Sequence, residues 1–295
     1  MTTAATVIDR TLRQLLSGTT EPRNKLASSI SSSDTSVTAT YSLEGLRVGQ
    51  VFEIDTEVMY IWAADSSTKT LVVERGYNGT TAVAHTAGAL IKVSPRFPRA
   101  QILEAINDEM ADLSSPLNGL FQVKSLNIDY NGSDPMIDLT GVTAIIDLLN
   151  VSVRYMVDDY PVARKVRLVR DMPTDDFASG FALKFDQGVF PGRLRVNYKA
   201  PYTAASSESS DMNSVCGVQD SVIDLIALGA QIRLMSPREI KRNFTESQGE
   251  TRRAEEVASG QITNSISQLI RLRRDRIQAE AARLARAYPT FLSKD

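Results

Sequence analysis

The stretch ITNSISQLIRLRRDRIQAEAARLARAY, Ile262 to Tyr288, decides how the rest of the chain is read. At about 100° per residue, Ile266, Leu269, Ile270, Ile277, Ala281, Leu284 and Tyr288 gather on one side of a helix roughly 40 Å long. Such an apolar stripe wants a partner. The remaining surface carries Arg271, Arg274, Arg276, Arg283 and Arg286 against few acids, so this end is basic although the formal net charge of the chain is -2. Arg273 and Glu280 fall inside the stripe. Their long stems either snorkel over the edge of a core, the preferred reading, or pair across a subunit boundary. Neither reading points to catalysis.

Composition bounds the rest. At 295 residues the chain has room for two modules, or for one domain with a large insertion, and 42% hydrophobic content supports real cores. The near-neutral charge argues against a dedicated nucleic-acid binder while leaving a local basic helix open. Cys216 is the sole cysteine, which excludes an internal disulfide and a thiolate zinc site. His85 is the sole histidine, which excludes most hydrolytic centres built on a His base plus a His ligand. Met1 to Leu16 lacks the pattern of a secretory signal, and no run of about 18 apolar residues occurs. The expectation is a protein made and kept in the cytoplasm, at least initially, with no membrane segment.

Taken in order, Thr6 to Leu16 reads as a short amphipathic helix with Ile8, Leu12, Leu15 and Leu16 on one side. From Asn24 to Ser94 the period becomes strand-like: Ser36 to Tyr41, Gln50 to Asp55, Val58 to Ala63, Thr70 to Glu74 and Ala89 to Val93. That is a small barrel or sandwich set between two helices, so Leu16 and Pro98 are expected to be near neighbours. Trp62 lies in a strand pattern, where core packing is the default. Pro98 to Ser114 is a second helix, with Glu104, Asp108, Glu109 and Asp112 on one face. Those acids read as a solvated face rather than a cation site. They also offer the complement to an arginine-rich helix of a neighbouring subunit.

Strands return between Gly119 and Tyr202, suggesting a second sandwich, with Asp158, Asp159, Asp171, Asp175 and Asp176 placed where turns need Asp. Ala204 to Ser214 reads as a linker or mobile loop. Gln219 to Met235 is a helix apolar nearly all round, and Ser236-Pro237-Arg238-Glu239 reads as the capped start of a separate short helix reaching about Phe244. Thr245 to Arg253 reads as a joint. The expected fold is α+β: a helical base of about four helices with two inserted β-rich modules. Residues 1–23 form the N-terminal helix of the base, 24–95 the inserted β module, 96–118 a further base helix, 119–203 the second β-rich module, and 204–295 the C-terminal helices.

The most distinctive loop runs from Glu74 to Ala89. Its glycines at 76, 79 and 88 permit positive φ, and Asn78-Gly79 signals a tight turn. Either His85 and Glu74 form an acid/base pair, or His85 fixes the loop by a hydrogen bond to backbone, which is preferred. Glu74, Arg75, Gly76, Asn78, Gly79, Thr80, His85, Ala87 and Gly88 together resemble a pattern of tailed-bacteriophage structural proteins. The helical base with its long last helix resembles the head-to-tail connector adaptor of those phages, most strongly over Asp220 to Phe244 and the terminal helix.

That resemblance implies a homo-oligomeric ring, commonly a dodecamer, lying beneath the portal protein in the neck of the virion. It also implies a downstream stopper or tail protein, sequence-independent contact with packaged DNA, and no cofactor, metal or catalytic residue. Arg271, Arg273, Arg274, Arg276, Arg283 and Arg286 become the partner-docking or channel-facing set, and Ile266, Leu269, Ile270, Ile277, Leu284 and Tyr288 the apolar docking stripe. The alternatives are another neck component, such as a stopper or tail terminator, and a glycan-recognising tail module. An enzyme is disfavoured by the lack of a phosphate-binding Gly loop, a nucleophile turn or metal-ligand spacing.

Overall fold

The computed structural model describes residues 2–16, 19–154, 166–185, 191–246 and 261–290. The four α-helices and twelve strands among the described residues make it α+β, as the sequence pattern predicts. Two compact units divide the chain. One holds residues 1–108, 205–211 and 226–266, the other residues 109–204, 212–225 and 267–295.

In the first unit, helix α1 (Ala4–Leu16) buries Ala4, Val7, Ile8 and Leu12. Its first turn is closed by the chain returning much later: the Ala4 and Ala5 amides donate to the carbonyls of Ser210 and Glu208, each at 2.9 Å. The serine-rich stretch read as a linker or mobile loop is therefore fastened. Arg99 holds it further, donating from Nη2 to Glu208 Oε2 at 2.7 Å and from Nη1 to Asp9 Oδ1 at 2.6 Å. Small polar residues read as flexible only until a long-range partner satisfies them.

Six antiparallel strands follow: β1 (Arg23–Lys25), β2 (Ser36–Thr38), β3 (Val51–Ile54), β4 (Glu57–Asp65), β5 (Thr70–Glu74) and β6 (Leu90–Val93). Their order is β1-β6-β3-β4-β5-β2, and the sheet curls into a half-barrel. The curl brings its two edges together, since Leu26 bridges Ala39 and the Thr40 amide reaches the Lys25 carbonyl at 2.8 Å. Phe52, Ile54, Met59, Ile61, Leu71 and Ile91 fill the interior, all buried. The stems of this module lie side by side: the Val93 amide donates to the Pro22 carbonyl at 3.0 Å, and the Arg96 amide to Glu21 Oε1 at 2.8 Å. Helix α2 (Arg99–Leu113) leads away.

The second unit contains β7 (Gln122–Tyr130), β8 (Met136–Asp138), β9 (Asp147–Arg154), β10 (Val166–Val169), β11 (Ala182–Phe185) and β12 (Gly192–Ala200). They form two three-stranded antiparallel sheets, β7-β12-β9 and β10-β11-β8. One apolar core serves both, with Leu148, Val151 and Leu194 from the first sheet and Val166, Leu183 and Phe185 from the second. Asp171 and Asp176 sit in the turn between β10 and β11, as the sequence suggests; Asp158 and Asp159 lie outside the described residues.

Helix α3 (Asp220–Glu246) corrects a sequence expectation, for it runs unbroken through Ser236-Pro237 instead of stopping and restarting. Proline removes one backbone donor from the ladder, a local cost that a helix already propagating on both sides absorbs. Helix α4 (Gln261–Ala287) matches the quoted stretch. Residues 247–253 of the expected joint lie outside the described residues. Among the described residues no helix is long and apolar enough to cross a membrane.

Candidate functional site

Helix α4 sorts the predicted residues into two groups. Ile277 and Leu284 are buried within the chain, Ile266 and Leu269 are half-buried, and Ile270 and Tyr288 are exposed, at 48% and 38%. Tyr288 packs edge-on against Phe121, ring centres 6.4 Å apart, and Phe121 also lies beneath the Lys199 ammonium at 5.0 Å. The middle of the stripe thus covers this chain's own core, leaving its margins outward. Leu272, which helical spacing places off the stripe, is 50% exposed, so Ile270 and Leu272 are open apolar residues on nearly opposite sides of the helix.

The arginines divide likewise. Arg273 donates from Nε to Glu109 Oε1 at 2.7 Å and from Nη2 to Asp112. Burial works against its charge, but the hydrogen bond and attraction of Glu109, then of Asp112, outweigh that and hold its pKa above the ordinary arginine value. An arginine of α4 therefore meets acids of α2 inside one chain, and Glu109, fully buried, is no part of a solvated face. Arg283 donates to Glu280 at 2.7 Å and to Ser221 at 3.1 Å, and also reaches Gln219. Arg271, Arg274, Arg276 and Arg286 have no hydrogen-bond or ion-pair partner among the described residues. Arg271 and Arg274 stand about 60° apart around the helix, both to one side of Ile270.

The distinctive loop is organised by a residue that strand alternation did not single out. Glu57, fully buried at the start of β4, accepts from Arg75 Nε at 2.7 Å and Nη2 at 2.9 Å, and from the Gly76 and Val83 amides at 3.0 Å each. His85 Nε2 lies 3.0 Å from the same carboxylate, and Nδ1 lies 2.9 Å from Asp55. Arg75 also donates to the carbonyls of Ser31, Asp34 and Val83 at 2.6, 2.8 and 2.6 Å. Gly76 is left-handed, φ 63°, and a Cβ there would fall 2.8 Å from the Thr80 carbonyl oxygen, so glycine is required.

Burial alone would raise the Glu57 pKa, but these donors bring it down to about 2. Burial would lower that of His85, yet Asp55 and Glu57 together raise it, favouring an imidazolium that donates from both nitrogens. The His85 side chain is fully buried and its partners are carboxylates. This corrects both sequence readings, since Glu74 is engaged elsewhere and the ring does not bond to backbone. A glycine-rich loop carrying Arg and His, opposite a Glu in an otherwise apolar strand, is the signal that could have found this knot.

Glu74 accepts from Trp62 Nε1 at 3.2 Å. Trp62 is 60% exposed, not core, because strand alternation that turns Met59 and Ile61 inward turns Tyr60 and Trp62 to the outer face. Tyr60 meets it edge-on at 5.0 Å, and Tyr77 continues the row at 5.2 Å. Among the described residues no group of three or more His, Cys, Asp or Glu could hold a metal ion. No protein-family model matches the chain, and no curated protein matches it in sequence.

Proposed function

We propose that the chain is a virion structural protein of a tailed bacteriophage, a head-to-tail connector adaptor. In this reading it forms a ring, expected to be a dodecamer, beneath the portal protein, continues the DNA channel, and joins the capsid to a stopper or tail protein in the neck. It acts by contact, with no catalytic step and no cofactor. The observation that carries the reading is that Arg271, Arg274, Arg276 and Arg286 stand unpaired among the described residues around α4, with exposed Ile270 one turn before Arg274 and exposed Leu272 one turn before Arg276. A basic ridge with an apolar margin suits docking to an acidic protein surface, or to phosphates read without sequence preference. The long α4 favours an adaptor over a mostly β stopper or tail terminator.

Replacing these four arginines with alanine tests the reading. The variant is expected to fold as the wild type does and to fail to join portal-bearing heads; normal incorporation into heads overturns the docking assignment. A second reading, a glycan-recognising tail module, is favoured by one observation, the exposed Trp62 held by Glu74 beside Tyr60 and Tyr77. An indole face so presented suits stacking on a sugar ring. Glycan-array binding by the full chain that disappears in Trp62→Ala would establish it, and no binding by either chain would dismiss it.

A further inference from the structure

Helix α2 and the loop after β5 enclose a groove of about 940 Å³ in the first unit. Glu104 and Asp108 form one wall, and Asn78, Thr80 and Thr81 contribute to the other. Both carboxylates are exposed, neither has a partner among the described residues, and no Lys or Arg lines the groove among those residues. Like charges four residues apart on a helix repel, so this wall is held in an unrelieved state that a cation would stabilise. The chain supplies such cations on a different surface. Arg271 and Arg274 project from one side of α4, about 4.5 Å apart along its axis, against about 6 Å for Glu104 and Asp108. One turn further along α2, Glu109 and Asp112 already hold Arg273 of α4, so arginine from α4 on carboxylate from α2 is a contact this sequence demonstrably makes.

We propose that the occupant of the groove is a second copy of the chain, whose α4 places Arg271 and Arg274 against Glu104 and Asp108. The inference rests on the ring reading above and names the contact that builds the ring. Groove and ridge are different surfaces of one chain, so the contact is head-to-tail, the geometry that closes into a ring at a fixed rotation per copy. Asp275 is the one acid on α4 between Arg271 and Arg276, and it tempers without cancelling the basic ridge.

A charge-reversal pair tests this with the full-length chain. Glu104→Arg/Asp108→Arg leaves groove and ridge both basic; Arg271→Glu/Arg274→Glu leaves both acidic. Each variant alone is expected to shift the midpoint of self-association about 30-fold or more, read by mass photometry across concentration and on purified portal rings. An equimolar mixture is expected to recover assembly as alternating copies, which also shows that both variants are folded. Wild-type assembly that raised salt leaves unchanged, or assembly unaffected by either reversal, overturns the contact and leaves the ring reading standing. Loss of assembly in each variant without rescue in the mixture also overturns it and assigns the groove to a different occupant. A wild type that stays monomeric both alone and on portal rings overturns this contact and the ring reading together.

Discussion

In the half-barrel an apolar interior is closed by a loop that buried charge, through Glu57, Arg75 and His85, ties to β4 beside its backbone bonds to Ile30 and Leu26. In the sandwich of the second unit two small sheets share one apolar core, and the Arg193–Asp129 pair sits exposed at 4.0 Å. Both are antiparallel and similar in size, yet they fail in different ways. A knot of charges is sensitive to the loss of any member, because the partners left behind are buried and lose the opposite charge that offsets their desolvation. An apolar core loses in proportion to the atoms removed and is indifferent to pH.

The sharpest break in this comparison is Glu57→Ala, expected to cost about 3 to 5 kcal/mol in chemical denaturation by removing the buried carboxylate that offsets the charge of Arg75 and His85. The same site sets an acid limb. Because the folded pKa of about 2 lies below the unfolded 4.5, the stability it contributes is complete above 4.5 and lost as pH falls toward 2. On the sandwich side, Leu194→Ala is expected to cost about 3 kcal/mol, by the same amount at pH 5 and pH 8.

Glu53 sharpens the contrast from the other direction. Burial pushes its pKa up to about 7, against the pull of Lys92 at 3.3 Å and the Arg99 amide at 2.6 Å. A folded carboxylate that binds protons more tightly than the unfolded one loses stability as pH rises, here by up to about 3 kcal/mol between pH 4.5 and 7. Glu53→Gln keeps an acceptor oxygen and is expected to flatten that slope in denaturation curves taken across the window. Arg273→Ala, which takes the arginine from buried Glu109, is expected to cost about 2 kcal/mol. Smallest of all, Arg271→Ala/Arg274→Ala should change stability by less than about 0.5 kcal/mol while assembly on the portal is lost. A large change in melting temperature in that last variant would place the ridge among the residues that hold the fold.

The contrast also explains what the sequence discloses. Helices α1 and α4 follow from apolar spacing, and β5 and β6 fall where β-branched runs put them, because local period and local burial agree there. β1 does not show, since Arg23-Asn24-Lys25 has no apolar pattern and is a strand only by pairing with β6. Trp62 misleads because Met59-Tyr60-Ile61-Trp62 is apolar at every position, so the sequence does not say which alternate set faces the core; Met59 and Ile61 do, and Trp62 faces out. The Glu57 knot joins positions 18 to 28 residues apart, and the Arg99–Glu208 tie joins positions 109 apart. No window of local periodicity spans such distances. On α4 the arginines are visible as a set, but which are spent on the chain's own acids and which are left outward depends on α2, far away in sequence.

The paired stems at Pro22 and Val93 carry an evolutionary corollary. A part whose two attachment strands leave and rejoin at one spot can be transplanted whole, by a single recombination event, without rethreading its host. Related scaffolds are then expected to carry an unrelated cassette between the counterparts of α1 and α2, or a bare hairpin there.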